Sequence, residues 1–187
     1  MSDESATRPM SVSIAGYVVR VATGPLQVFG REGDRPRTVD HFSEAGDDAV
    51  GYFAVAVDDG HRTWPLVVTQ RYSPAIPGFE PGVLLVPETG TLFIGAGSRL
   101  LGYRSTAGEW RQIFVDNADG GFWEWCRHGD VVLMSAELEL ARWSIDGVKL
   151  WSQFVEPPWD YAVIDDQVLL DVMGTHSKFP AHAGPPE

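Results

Sequence analysis

One stretch of this 187-residue chain repeats itself after forty residues without a gap. Thr91-Leu92-Phe93-Ile94-Gly95-Ala96 lies over Val131-Val132-Leu133-Met134-Ser135-Ala136. In the same frame Leu100 meets Leu140, Tyr103 meets Trp143, Phe114 meets Phe154 and Val115 meets Val155. A third, partial copy fits after a three-residue deletion, with Val168-Leu169-Leu170 over Val131-Val132-Leu133 and Trp159 over Phe122. A unit this short cannot bury its own apolar face alone and must stack on its neighbours. In the second copy the pattern predicts strands over 123–126, 131–135, 139–143 and 150–155, with turns at His128-Gly129-Asp130 and Asp146-Gly147. Four strands in about 40 residues is the size of one propeller blade.

Ala141, Gly147 and Trp151 carry a more particular signal. At this spacing the second copy resembles a repeat of the quinoprotein-type (pyrroloquinoline-quinone) β-propellers, whose blades carry an Ala, then a turn Gly, then a Trp. Trp143 replaces that family's usual Asp, and in the first copy Gly108 fits while Trp110 comes two residues early. The resemblance implies a blade-like fold. It implies neither the quinone nor a dehydrogenase activity, because fold does not fix function, and no cofactor is expected. A closed propeller needs at least about four blades. Two and a half copies therefore suggest all-β antiparallel meanders in an open or partial propeller, or one half of a homodimeric one.

The rest of the chain is less regular. Residues 1–10 read as a disordered leader, 11–178 as a single all-β domain, and 179–187, with Pro180, Pro185 and Pro186, as an extended tail. Within the domain, 11–72 form an irregular β half and 82–178 the blade-like repeats. Residues 12–21 read as a strand, and 52–57 with 62–69 as a hairpin around Asp58-Asp59-Gly60. Residues 41–50 are the one short helix candidate. Pro74, Pro77 and Pro81 make 73–81 a connector.

Charge limits the partners. The net charge of −12 disfavours nucleic acid, whose backbone is polyanionic, and an anionic membrane surface. No apolar run is long enough for a membrane-spanning helix. The single cysteine, Cys126, cannot form an internal disulfide, which favours a reducing, cytoplasmic setting. It reads as a small buried residue, because the neighbouring Glu124 opposes thiolate formation.

Catalytic motifs are missing. Gly95-Ala96-Gly97 outlines a dinucleotide loop, but the matching copy has Ser135-Ala136-Glu137, which simply turns between strands. Asp116 to Gly121 outlines a calcium loop, but Ala118 stands where an oxygen ligand is needed. No histidine pair among His41, His61, His128, His176 and His182 has zinc spacing on a helix. No metal site is expected.

Aromatic residues are the remaining clue. Six of the seven tryptophans fall between Trp110 and Trp159, and from Trp110 to Asp171 there are 12 acids against 4 bases. Trp123 and Trp125 are two apart, which on a regular strand places them on one face. Trp123, Glu124, Trp125, Trp159 and Asp160 are therefore the candidate interaction residues. They suit an acidic, non-enzymatic protein-binding module, such as an inhibitor or immunity-type protein for a basic partner. The alternative is a small-ligand or carbohydrate site, or an enzyme, built from the same tryptophans and carboxylates.

Overall fold

The computed structural model of the chain describes residues 10–23, 38–43, 50–58, 66–73 and 80–186. Every regular element among them is a β-strand, sixteen in all. The chain divides into two compact units, Met1–Pro74 with Arg104–Arg111, and Ala75–Tyr103 with Gln112–Glu187.

The first unit holds β1 (Met10–Ile14), β2 (Tyr17–Thr23), β3 (Thr38–Ser43), β4 (Gly51–Asp58) and β5 (Leu66–Tyr72), in the order β1-β2-β4-β5-β3. Residues 12–21 are not one strand. Ala15 and Gly16 both take left-handed φ, +46° and +87°, and fold β1 back on β2. This is the twist a two-residue hairpin needs. The expected pair 52–57 and 62–69 appears as the antiparallel β4 and β5, with its turn outside the described residues. The helix expected from residue 41 is absent where it can be seen: His41 to Ser43 end β3, which pairs with β5 in parallel. Pairing with β5 outweighs the weak helix signal there, and 44–49 lie outside the described residues. The leader to residue 9 and most of the Pro-rich connector, 74–79, also lie outside them. In the same unit Trp110 packs edge-on against Tyr17, ring centres 6.1 Å apart.

The second unit is built from three antiparallel meanders. β6 (Gly82–Val86), β7 (Thr91–Ala96), β8 (Arg99–Thr106) and β9 (Glu109–Asn117) form the first, whose hairpin tip, Arg104–Arg111, belongs to the first unit. β10 (Phe122–His128), β11 (Val131–Ala136), β12 (Glu139–Ser144) and β13 (Lys149–Phe154) form the second. β14 (Trp159–Ile164), β15 (Gln167–Val172) and β16 (Thr175–Pro180) form the third, which has no fourth strand among the described residues. Each strand of the second meander begins forty residues after its counterpart in the first. No sheet closes on itself into a barrel or propeller among the described residues.

β11 explains why the meanders stack. All six of its residues are buried. Val132, Met134 and Ala136 join Phe93, Trp125 and Trp143 in one core. Val131 and Leu133, on the opposite face, join Trp159, Val168, Leu170 and Phe179 in another. Each fully buried Val, Leu or Phe contributes about 1.5–3 kcal/mol, so a strand covered on both faces is favoured over one left half wet.

The third meander follows at a different offset. β15 and β16 begin 36 residues after β11 and β12, whereas β14 begins 37 after β10. The missing residue is a β-bulge. In β10 Phe122 pairs with Ala136 and Glu124 with Ser135, which leaves Trp123 as an extra residue, while β14 pairs with β15 without interruption. The face-preserving match is therefore Val132 with Val168 and Trp143 with Phe179, one residue from the frame read in the sequence. A slip of one residue in a strand turns every side chain to the other face.

Residues 179–186 are fixed to the sheet. Phe179 lies in β16 and in the second core. The Trp151 indole N–H donates to the Ala181 carbonyl at 2.9 Å, and the Arg142 guanidinium donates to the His182 carbonyl. Gly184, at φ +82°, lies flat on Trp151, where a Cβ would come within 2.8 Å of the ring. Pro185 and Pro186 follow at the offset where a fourth strand would begin, and proline cannot donate to a ladder.

Candidate functional site

The bulge decides where the candidate residues go. Two residues of β10 face one of β11, so Trp123 and Glu124 share the face toward the third meander. Trp125 takes the opposite face and enters the first core, 5.1 Å from the Phe93 ring and 5.7 Å from Phe122. Trp123 and Trp125 therefore do not share a face, contrary to the spacing argument. Trp123 instead stacks on Trp159, with ring centres 5.0 Å apart and planes 12° from parallel. Tyr161 continues the stack at 6.2 Å.

Burial then separates aromatics from acids. Trp125 is 9% exposed and Trp159 8%, while Trp123 is half-buried. The Trp159 indole N–H donates to the Glu137 carbonyl at 2.9 Å, tying β14 to the β11–β12 turn. Glu124 and Asp160 are both exposed. Asp160 lies on the outer side of β14, alternating with the inward Trp159 and Tyr161. The structure thus gathers Trp123, Trp159 and Glu124, turns Asp160 to the far side of the same strand, and sends Trp125 elsewhere.

Beside this stack, Cys126 Sγ lies 3.3 Å from His128 Nε2. The pair has the outline of a thiol–imidazole dyad, but its electrostatics oppose one. Burial and then the Glu124 charge push the Cys126 thiol above its ordinary pKa, although the Tyr161 hydroxyl donates to the sulfur. Burial first, and then the neighbouring Cys126, Glu124 and Asp160, hold the Tyr161 proton still more tightly. At neutral pH the thiol and the phenol are protonated, so this site holds no ready nucleophile. Among the described residues no three His, Cys, Asp or Glu side chains are grouped to hold a metal. No helix there is long and apolar enough to cross a membrane.

The basic side chains of the second unit are mostly committed internally. Arg127 makes a two-pronged pair with Glu88 at 2.9 and 3.0 Å. Lys149 lies 2.7 Å from the buried Glu139 and 3.1 Å from Asp116. Arg142, 8% exposed, is held by the His182 carbonyl. Of five Arg and Lys described in this unit, only Lys178 is exposed, whereas ten of fourteen carboxylates are.

Sequence reasoning missed Asp171, His176 and Lys178. With Asp160, they line a shallow hollow of about 440 Å³ on the outer face of the third meander. The signal was present in the repeat: at an offset of 36 the apolar Val131 and Leu140 become Gln167 and His176. The frame of 37 hid it. No family model matches the chain, and no curated protein matches it.

Proposed function

We propose that this chain is a non-enzymatic, inhibitor-type binding module for a basic protein, acting in the cytoplasm. One observation carries the reading: most carboxylates of the second unit face water, while of its described Arg and Lys side chains only Lys178 is exposed. A surface of one sign raises the encounter rate of an oppositely charged partner and makes binding sensitive to salt. Asp160, on the outer face of the third meander, and Glu124, on the side of β10 toward that meander, are exposed charges of this surface, and the half-buried Trp123 beside Glu124 is its aromatic contact. Trp125 and Trp159 are core residues that hold this rim in place. In this reading the meanders are blade-like sheets of an open, partial propeller.

The carbohydrate reading is weaker, because Trp159 is buried between Trp123 and Tyr161 and has no face free to stack on a sugar ring. The test is affinity capture at low salt from the cells that make the protein, repeated with Glu124→Lys/Asp160→Lys. The expected result is a basic protein in stoichiometric amount that is lost from the double variant and at high salt. Capture that ignores both charge reversal and salt would overturn the proposal.

A further inference from the structure

The three meanders differ in what covers them. The face of the first toward the second is buried in one core, and the face of the second toward the third in another. The outer face of the third is open among the described residues. Its ladder sets out three rows across β14, β15 and β16: Asp160–Asp171–His176, Ala162–Leu169–Lys178 and Ile164–Gln167–Pro180. These residues alternate with the inward Trp159, Tyr161, Val168, Leu170 and Phe179. At the corresponding positions of the second meander stand Val131, Leu133, Ser135, Leu140 and Arg142, all buried. The polar exchanges on the third face suit water and a reversible contact, not another permanently stacked sheet, as in the end repeats of stacked arrays.

The first row holds an unusual pair. Asp160 and Asp171 are directly opposite each other on adjacent antiparallel strands. Like charges in that position oppose strand pairing. Little offsets them locally. Asp171 Oδ1 accepts the Gly174 N–H at 2.8 Å and its Oδ2 lies 3.6 Å from the exposed His176 ring. Among the described residues, Asp160 accepts only the N–H of Tyr161. Beside the pair, Ala162 and Leu169 floor the hollow with apolar surface, and Lys178 stands at its far wall.

We infer that this face is the docking surface for the basic partner, and that the hollow receives an arginine side chain whose guanidinium bridges Asp160 and Asp171. Charge complementarity and shape both favour this occupant. A planar guanidinium offers parallel N–H donors to two carboxylates at once, and its stem packs on Ala162 and Leu169. A lysine ammonium is a compact point charge and cannot span the pair in the same way. Lys178 repels the cation from the β16 side and so orients the side chain across the β14–β15 ladder. This inference rests on the reading of the chain as a partner of basic proteins.

The probes are nona-arginine and nona-lysine peptides, titrated against the whole chain at low salt by fluorescence anisotropy. The arginine peptide is expected to bind at least about fivefold more tightly, as bidentate geometry favours it. Asp160→Asn and Asp171→Asn should each erase that preference, and Lys178→Ala should strengthen binding of both peptides. Glu124→Gln, away from the hollow, should weaken both peptides equally and leave the ratio unchanged. Asp160→Asn should also raise the melting temperature, because it removes the opposed charge. Equal binding of the two peptides, still sensitive to Glu124→Gln, would overturn the hollow and leave the acidic-surface reading standing. Failure of both peptides to bind would overturn both readings. A preference for arginine that survives both asparagine variants would likewise place the arginine site elsewhere.

Discussion

The two cores of the second unit use tryptophan differently. Between the first and second meanders, Trp125 and Trp143 pack in a cluster with Phe93, Phe114 and Phe122, and neither buried indole N–H has a hydrogen-bond partner among the described residues. Their rings meet edge to face at 5.9 Å. Between the second and third, Trp151 and Trp159 each donate to a backbone carbonyl, of Ala181 and Glu137. In the first core tryptophan supplies volume and ring contact. In the second it also supplies a directed link, which fixes a turn and the C-terminal segment to the sheets. A buried N–H without an acceptor costs free energy, so the first core must recover it through packing.

The largest effect should come from emptying the first core. Trp143→Ala is expected to destabilise by about 3–5 kcal/mol, the range for large-to-small changes at fully buried aromatics, read from the urea unfolding midpoint. A loss under about 1 kcal/mol would mean that the cluster is not tightly packed. The comparison itself is tested by two conservative changes. Trp159→Phe leaves the Glu137 carbonyl without this donor and should cost about 1–3 kcal/mol. Trp125→Phe breaks no hydrogen bond and should cost less than about 1.5 kcal/mol. Equal costs would erase the distinction between the cores.

Alkaline pH gives the smallest and most diagnostic effect. Lys149 belongs to the first junction, and Cys126 and Tyr161 to the second. Burial alone would lower the Lys149 pKa, but its hydrogen bonds and charge pairing with Glu139 and Asp116 outweigh that and raise it. Burial raises the other two. All three hold their proton more tightly folded than unfolded. Stability is therefore complete below their ordinary values of 9.0, 10.0 and 10.5 and is lost as pH rises through the raised ones. The urea midpoint should fall from pH 8 to pH 11. Tyr161→Phe and Lys149→Met should each remove part of that fall, and whichever removes more identifies the group whose proton binding contributes more to it. An unchanged fall in both variants would show that neither junction sets it.

The repeat made the meanders legible, because the mostly apolar run of Thr91 to Ala96 returns in Val131 to Ala136 and both are strands. The bulge was not legible. Phe122-Trp123-Glu124-Trp125 reads the same whether or not one residue stands out of the ladder, and the answer lies in the pairing with Ser135 and Ala136. That single residue accounts for the misplaced frame of the third copy and for the separation of Trp123 from Trp125. The parallel pairing of β3 with β5 was also hidden, because a short polar strand such as Thr38–Ser43 carries little pattern of its own. Among the candidate residues, the sequence marked the exposed Glu124 and Asp160. It could not divide tryptophans that serve a core from those that face a partner, since both tasks select the same side chain.

β11 belongs to both cores at once, and this bears on how the second unit comes apart. Its amides are sheltered by a neighbouring sheet on either face, whereas those of β16 lie at an open end. Hydrogen exchange at β16 should report local fraying of the last meander. Exchange at Leu133 and Met134 should require the whole array to open, so a substitution in either core would be felt there with nearly its full effect on global stability. One strand in the middle of the chain thus makes the stacked sheets a single cooperative unit, in place of three that melt in turn.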